Sequence, residues 1–211
     1  MLNWLGGLGI AFIAMIFLPL MRVGGMQFFR TEGFDTFGKV LPRATDIAKQ
    51  LLIVYLILTV VAMTLYAVLG MPAFEAGVHG RTTVSTGGFS TRGDSFAQYG
   101  PPIQYAAACL MFLASLPFIR YVQLVNGTAG PLWRDAQVRA YARWLAMAVG
   151  SVCLWRLSTS SAGIEQVFRE SLFNLTSVMS STGYSTAVFP QWASFTLVVA
   201  FVIGVIGACS G

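Results

Sequence analysis

The sequence predicts an all-α, polytopic membrane fold in which a span, a short re-entrant helix, a glycine turn and a second span repeat. Three observations carry that expectation. Only 10% of the 211 residues are charged and 56% are hydrophobic, too little polar surface to cover a soluble domain of this length. Residues 1–21, 50–74, 95–119 and 171–211 carry no charge. Each block can hold a helix of about 20 residues, enough to cross a hydrocarbon core about 30 Å thick. Two mixed segments, each joining two expected spans, break at nearly the same string, Ser85-Thr86-Gly87-Gly88-Phe89-Ser90-Thr91 and Ser181-Thr182-Gly183-Tyr184-Ser185-Thr186.

The first span is expected from Trp4 to Leu20, bent near its inner end by Pro19. It has no basic lead-in and no cleavage site before a soluble domain, so it does not read as a signal peptide. Its abrupt apolar start, and an apolar stretch at the far end, give the expectation of an internal piece of a longer protein. A polar connection loosened by Gly24, Gly25, Gly33 and Gly38 leads to a second span, Ile47 to Leu69, ended by Gly70 and Pro72. Residues 73–100 are too polar to cross. A third span is expected from Ile103 to Leu124 and a fourth from Val138 to Leu157, where Arg139, Arg143 and Arg156 can snorkel. The mixed segment Ser158 to Pro190 precedes a last apolar run from Ala193.

Charge sets the orientation. Arg22, Arg30, Lys39, Arg43 and Lys49 lie between the first two spans, and Arg120, Arg134, Arg139 and Arg143 between the next two. Nine of the 13 basic residues therefore occupy two connections, the pattern of cytoplasmic loops. The net charge of +5 is thus a topology signal, and no nucleic-acid partner is expected. Cys109, Cys153 and Cys209 are dispersed and apolar in setting, and His79 is the single histidine. These residues build neither a disulfide framework nor a metal site.

By the same bias both mixed segments lie outside. Each opens with a helix-like stretch, Phe74 to Val84 and Ile164 to Met179, and then turns. Allowing one residue of gap, the strings match at Ser, Thr, Gly, aromatic, Ser and Thr, an internal repeat of about 95 residues. Irregular backbone at membrane depth is tolerated where it lines a water-filled path. Gly frees the backbone so that successive carbonyls can point one way, and carbonyls aimed at an axis replace the water shell of a cation. Each short helix would aim the negative end of its dipole at the same place. One such turn alone would be a helix terminus; two between charge-free spans favour an ion path. An intramembrane serine hydrolase would need a histidine beside a serine nucleophile, and His79 lies six positions before Ser85, off its helical face. The alternative is an ion-coupled carrier of H+ or Na+ with the same architecture, which would usually show a buried carboxylate or a broken helix pair at midplane.

At these residues the chain resembles the Trk/Ktr potassium transporters. The matches are Val84 through Thr91 and Ser181 through Ala187, together with Trp4-Leu5-Gly6-Gly7-Leu8-Gly9-Ile10, Val23-Gly24-Gly25-Met26-Gln27 and Gly207-Ala208-Cys209-Ser210-Gly211. The resemblance covers essentially the whole chain. It implies a potassium-channel-like arrangement of four span–pore helix–span units around one pore. Residues 1–25 would be the second span of the first unit, 26–44 a cytoplasmic connection, and 45–125 the complete second unit. Residues 126–136 would be a second connection and 137–211 a third unit, truncated in its last span. The potassium-binding residues implied are Ser85, Thr86, Gly87, Gly88, Ser181, Thr182, Gly183 and Tyr184. Gly207, Ala208, Cys209, Ser210 and Gly211 resemble the start of a gate loop that interrupts a helix under the filter. The resemblance also implies K+ as the transported ion with no cofactor and no catalysis. It further implies a multi-pass bacterial inner-membrane location in the lipid bilayer, a homodimer and a cytosolic nucleotide-binding regulatory subunit. Arg81 departs from the family pattern, with Glu75 or Asp94 as expected partners.

Overall fold

The computed structural model describes residues 2–7, 9, 44–125, 134–186 and 192–208. Among these every regular element is a helix. Residues 2–7 are helical, but most of the first expected span, and the connection after it, lie outside the described residues. Helix α1, Ala44–Val68, spans 25 residues, roughly 37 Å at 1.5 Å per residue. Its Lys49–Val68 portion is the one described helix long and apolar enough to cross a membrane by itself. Val54, Tyr55, Ala62 and Tyr66 are buried on one face, while Ile53, Ile57, Val60 and Val61 are exposed on the other. A helix apolar on both faces suits lipid on its outer side, not water. Gly70 ends it at φ 97°, with Met71 N donating to Tyr66 O at 3.0 Å and Gly70 N to Ala67 O at 3.1 Å, a Schellman stop.

Helix α2, Ala73–Val84, follows Pro72 and packs on α1. Helix α3, Pro101–Ala114, begins with two prolines in its first turn, where their missing N–H groups cost nothing. The third expected span, Ile103 to Leu124, is corrected here: it is two helices, α3 and α4, Phe118–Val125. Pro117 cannot continue a helix, since it lacks an N–H and its ring clashes with the preceding turn. The Leu113 carbonyl accepts from Leu116 N at 3.2 Å and from Tyr121 Oη at 2.6 Å, and Ser115 Oγ donates to Tyr141 Oη at 2.9 Å. The break is therefore closed by side chains and tied to the next helix.

Helix α5, Ala136–Thr159, is capped by Asp135, whose Oδ1 accepts from Gln137 N at 2.7 Å. The other carboxylate oxygen accepts from Arg120 Nε at 2.5 Å, which fixes α4 to the start of α5. Helix α6, Ile164–Met179, stands where the sequence places it, and α7, Ala193–Ala208, completes the described elements. α6 packs against α5, α7 and α3, and so links the two repeats. One core gathers Leu116, Val122, Leu145, Val152, Leu175 and Met179. A second is centred on Phe96, fully buried among the rings of Tyr66, His79, Tyr99, Phe173 and Tyr184 at centroid distances of 4.6–6.1 Å.

Candidate functional site

The turns after α2 and α6 share one backbone. After α2, Thr86 N donates to Thr83 O at 3.1 Å and Gly87 N to Thr82 O at 2.7 Å. After α6, Ser181 N donates to Val178 O at 3.0 Å and Thr182 N to Ser177 O at 2.9 Å. Thr86 and Ser181 have φ 48° and 56°, and Gly88 and Gly183 have φ 63° and 88°. These pairs are a constant 95 positions apart. The gapped match expected from the strings is thereby corrected: Gly88, not Gly87, is the counterpart of Gly183, and Gly87 corresponds to Thr182. The helix ends fix the register, and the second positive φ falls where each chain has Gly. The non-glycine positions hold a left-handed conformation that costs about 1–2 kcal/mol each, strain of the kind stored at functional sites.

A second shared feature lies one step later. Thr82 Oγ1 lies 3.0 Å from Phe89 O, and Ser177 Oγ donates to Tyr184 O at 2.7 Å. Both aromatic carbonyls are thus turned toward their own helix. The Tyr184 carbonyl is engaged and its side chain is buried, as suits a residue that braces the turn. The carbonyls of Ser85, Thr86, Gly87, Gly88, Ser181, Thr182 and Gly183 accept no hydrogen bond among the described residues. Ser181 and Gly183 are exposed, and Ser85 through Gly88 half-buried. The two turns touch, because a Cβ on Gly88 would stand 2.0 Å from Thr182 O, whereas one on Gly183 would meet nothing within 4 Å. A Cβ on Gly87 would collide with Asn3 Nδ2 at 1.6 Å, and that amide donates to Ser85 Oγ at 3.3 Å. Beyond the turns, Phe96 N donates to Ser185 O at 2.9 Å and Ser185 N to Ser95 Oγ at 3.2 Å.

The helices behind the turns repeat their supports with different side chains. His79 Nδ1 is 2.8 Å from Glu75 O and its Nε2 3.1 Å from Ser90 Oγ. Asn174, 95 positions on, donates to Glu170 O at 2.7 Å and Thr186 Oγ1 at 2.8 Å, and accepts from Thr186 N at 3.2 Å. Both side chains hold the ascending chain after the turn against its helix. Sequence reasoning missed this role; the signal was Glu-x-x-x-His and Glu-x-x-x-Asn at the repeat spacing. His79 faces Ser90 rather than Ser85.

Glu75 accepts from Arg92 Nη2 at 2.7 Å and Tyr99 Oη at 2.6 Å. The Tyr99 hydroxyl and the Arg92 guanidinium hold its carboxyl below the ordinary value, and Tyr99 itself is pushed up to about 12 by burial and by this carboxylate. Glu75 is therefore taken, and Arg81 makes no ion pair among the described residues. Glu170 pairs with Arg156 at 2.8 Å, and that guanidinium lies 3.9 Å over the Trp192 ring.

Below the second turn, α7 touches the end of α6. A Cβ on Gly207 would be 1.9 Å from Met179 O, and one on Gly204 would be 3.2 Å from Val178 Cγ1. Gly207 and Ala208 belong to α7, so the loop expected to start at Gly207 is helix there, and Gly207 is the seat that lets α6 approach. Cys209, Ser210 and Gly211 lie outside the described residues.

Comparison with known proteins places this geometry. The family model described as "TrkH: Cation transport protein" matches residues 1–211. The Trk system potassium uptake protein TrkI of Halomonas elongata is 34% identical over 212 residues, covering 100% of this chain and 43% of its own. TrkG of Escherichia coli K12 is 30% identical over 217 residues, with 44% of its length covered. The chain thus spans less than half the length of these relatives. The crystal structure of the potassium transporter TrkH from Vibrio parahaemolyticus superposes with a TM-score of 0.79 at 26% identity, over 96% of this chain and 41% of that one. The fold is that of a helical membrane transporter, and the chain belongs to the TrkH cation-transport protein family.

Proposed function

We propose that this chain supplies pore units to a potassium uptake path, and that backbone carbonyls of its two turns strip and hold the ion. The observation that carries the reading is the row of carbonyls at Ser85–Gly88 and Ser181–Gly183, unengaged among the described residues, at the C-terminal ends of α2 and α6. Carbonyl oxygens replace a potassium ion's hydration shell, and the helix ends add partial negative charge at the same place. Residues 45–125 and 137–211 form the second and third of four units, residues 1–25 belong to the first, and 26–44 and 126–136 connect them on the cytoplasmic side. The assembled transporter sits in the bacterial inner membrane. Its homodimer and its cytosolic nucleotide-binding regulator follow from the family resemblance.

The test is Gly183→Ser in the assembled transporter, reconstituted in proteoliposomes and normalised to incorporated protein. A side chain there meets open space but must adopt φ 88°, so insertion survives while the carbonyls of Ser181 and Thr182 are disturbed. Rubidium uptake falls and sodium permeability relative to rubidium rises. Rubidium distributing with its own gradient alone separates a channel from an ion-coupled carrier. Wild-type flux and selectivity in Gly183→Ser would remove the main support for the filter.

A further inference from the structure

We infer that Tyr184 sets ion selectivity from outside the ion path, as a positioning residue whose hydroxyl orders the Phe89 carbonyl of the neighbouring turn. The inference rests on the filter reading above and adds a coupling between its two turns.

The Tyr184 ring leaves its own turn and enters the helix of the other repeat. It packs 4.6 Å from Phe96 and 6.1 Å from His79, centroid to centroid, and is 3% exposed. Its hydroxyl is hydrogen-bonded to Thr82 Oγ1, and lies 3.4 Å from both Thr83 Oγ1 and His79 O. Thr83 Oγ1 is in turn 3.0 Å from Tyr66 Oη on α1. Thr82 Oγ1 has three carbonyls within reach: Val78 and His79 on its own helix, and Phe89 beyond the turn.

Counting protons gives the chain a direction. Each hydroxyl has one proton to donate. If Thr82 donated to Tyr184, nothing would remain for Phe89 O. The assignment that delivers a proton to Phe89 O has Tyr66 donate to Thr83, Thr83 to Tyr184, Tyr184 to Thr82, and Thr82 to Phe89 O. Every interior hydroxyl then donates once and accepts once, and such chains strengthen their members. The terminal acceptor follows Gly88 directly, and Gly88 is in contact with Thr182 of the other turn. Tyr184 therefore stands in the middle of the relay that fixes the exit of the neighbouring turn.

The counterpart bond, Ser177 Oγ to Tyr184 O, shows what the relay does in general, namely hold the carbonyl after the second positive-φ residue away from the path. The counterpart of Tyr184 is Phe89, which has no hydroxyl and is 62% exposed. Phe89 cannot serve a neighbour in the same way, so the coupling runs in one direction, from the second turn to the first.

The experiment compares rubidium and sodium uptake by the assembled transporter in proteoliposomes for wild type, Tyr184→Phe, Thr82→Val and the double variant, with Thr82→Ser as the conservative control. Tyr184→Phe keeps the ring and lowers the rubidium-to-sodium ratio about fivefold, the worth of one net hydrogen bond. Thr82→Val has a similar effect, the double variant is no worse than Thr82→Val alone, and Thr82→Ser retains the wild-type ratio. Thr82→Val leaves the Tyr184 ring in place, so it carries the test should Tyr184→Phe fail to fold. A proportional fall of both ions with an unchanged ratio, or additive effects in the double variant, overturns the inference by reducing Tyr184 to packing. Absence of selective rubidium uptake in the wild type would instead sink the filter reading itself.

Discussion

Gly88 and Gly183 allow a controlled comparison, because they share a backbone and differ in surroundings. Replacing either by Ala forces an L side chain into positive φ, 63° at Gly88 and 88° at Gly183, at about 1–2 kcal/mol. At Gly183 that strain is the whole cost, since the new Cβ meets nothing within 4 Å. At Gly88 it would stand 2.0 Å from Thr182 O, against an ordinary contact of about 3.5 Å. The neighbouring carbonyl must retreat by over 1 Å, in a segment already held by the Ser177–Tyr184 bond. Overpacking of this kind adds about 1–3 kcal/mol. Gly88→Ala therefore destabilises by about 2–5 kcal/mol and Gly183→Ala by about 1–2. For a chain of this size each kcal/mol lowers the unfolding temperature by roughly 2–4 °C, so the variants separate in a thermal melt in detergent. Gly88→Ala also disturbs ion uptake through the turn it does not belong to. Equal melting losses would refute the contact between the turns.

Other outcomes follow from the supports around the site. Arg120 and Asp135 have side chains 16% and 5% exposed; Asp135→Asn keeps the helix cap but strands the guanidinium. It costs about 2 kcal/mol, and Asp135→Ala about 1 more for the lost cap, read by thermal unfolding. Because Glu75 titrates below its ordinary 4.5 in the folded chain, its stabilisation is present above that value and is lost as pH falls through the lower folded value. Acidification from pH 5 to 3 thus lowers the melting temperature of wild type more than that of Glu75→Gln; parallel falls would mean that the Arg92–Tyr99 cluster contributes nothing. Finally, in a cysteine-free background Asp94→Cys is labelled by an impermeant thiol reagent from outside and Asp35→Cys is not. Labelling of position 35 from outside reverses the orientation.

The elements bounded by Gly and Pro were legible from the sequence. α6 was expected at Ile164 to Met179 and is found there, and α1 ends at the Gly70–Pro72 punctuation. The break at Pro117 was equally visible as a residue, yet residues 95–119 carry no charge, and the uninterrupted apolar run favoured one long span. Composition reports what solvent a segment meets, not whether its backbone is continuous. The partners of the Tyr184 brace were out of reach for another reason. Its partners Thr82 and Thr83 are about 100 positions away, and no local pattern marks a tyrosine that leaves its own turn. The roles of His79 and Asn174 needed the repeat register first, because one imidazole and one amide have no resemblance until they occupy the same place.

That register explains what the repeat keeps. At corresponding positions the two helices carry Thr82 and Ser177, His79 and Asn174, Glu75 and Glu170, and each pair makes the same bond: a hydroxyl to the aromatic carbonyl, a ring or amide nitrogen to a helix carbonyl, a carboxylate to an arginine. The arginines come from different places, Arg92 after the turn and Arg156 at the end of α5. Matching letters pairs Gly87 with Gly183, whereas matching bonds pairs Gly88 with Gly183. The bonds decide, because a residue at positive φ after a helix end is a mechanical requirement that only a few residue types meet cheaply. Gly87 then answers a separate need, the approach of Asn3. Adjacent glycines in one turn thus do different work: one permits a backbone angle beside a neighbouring turn, and the other makes room for the Asn3 side chain.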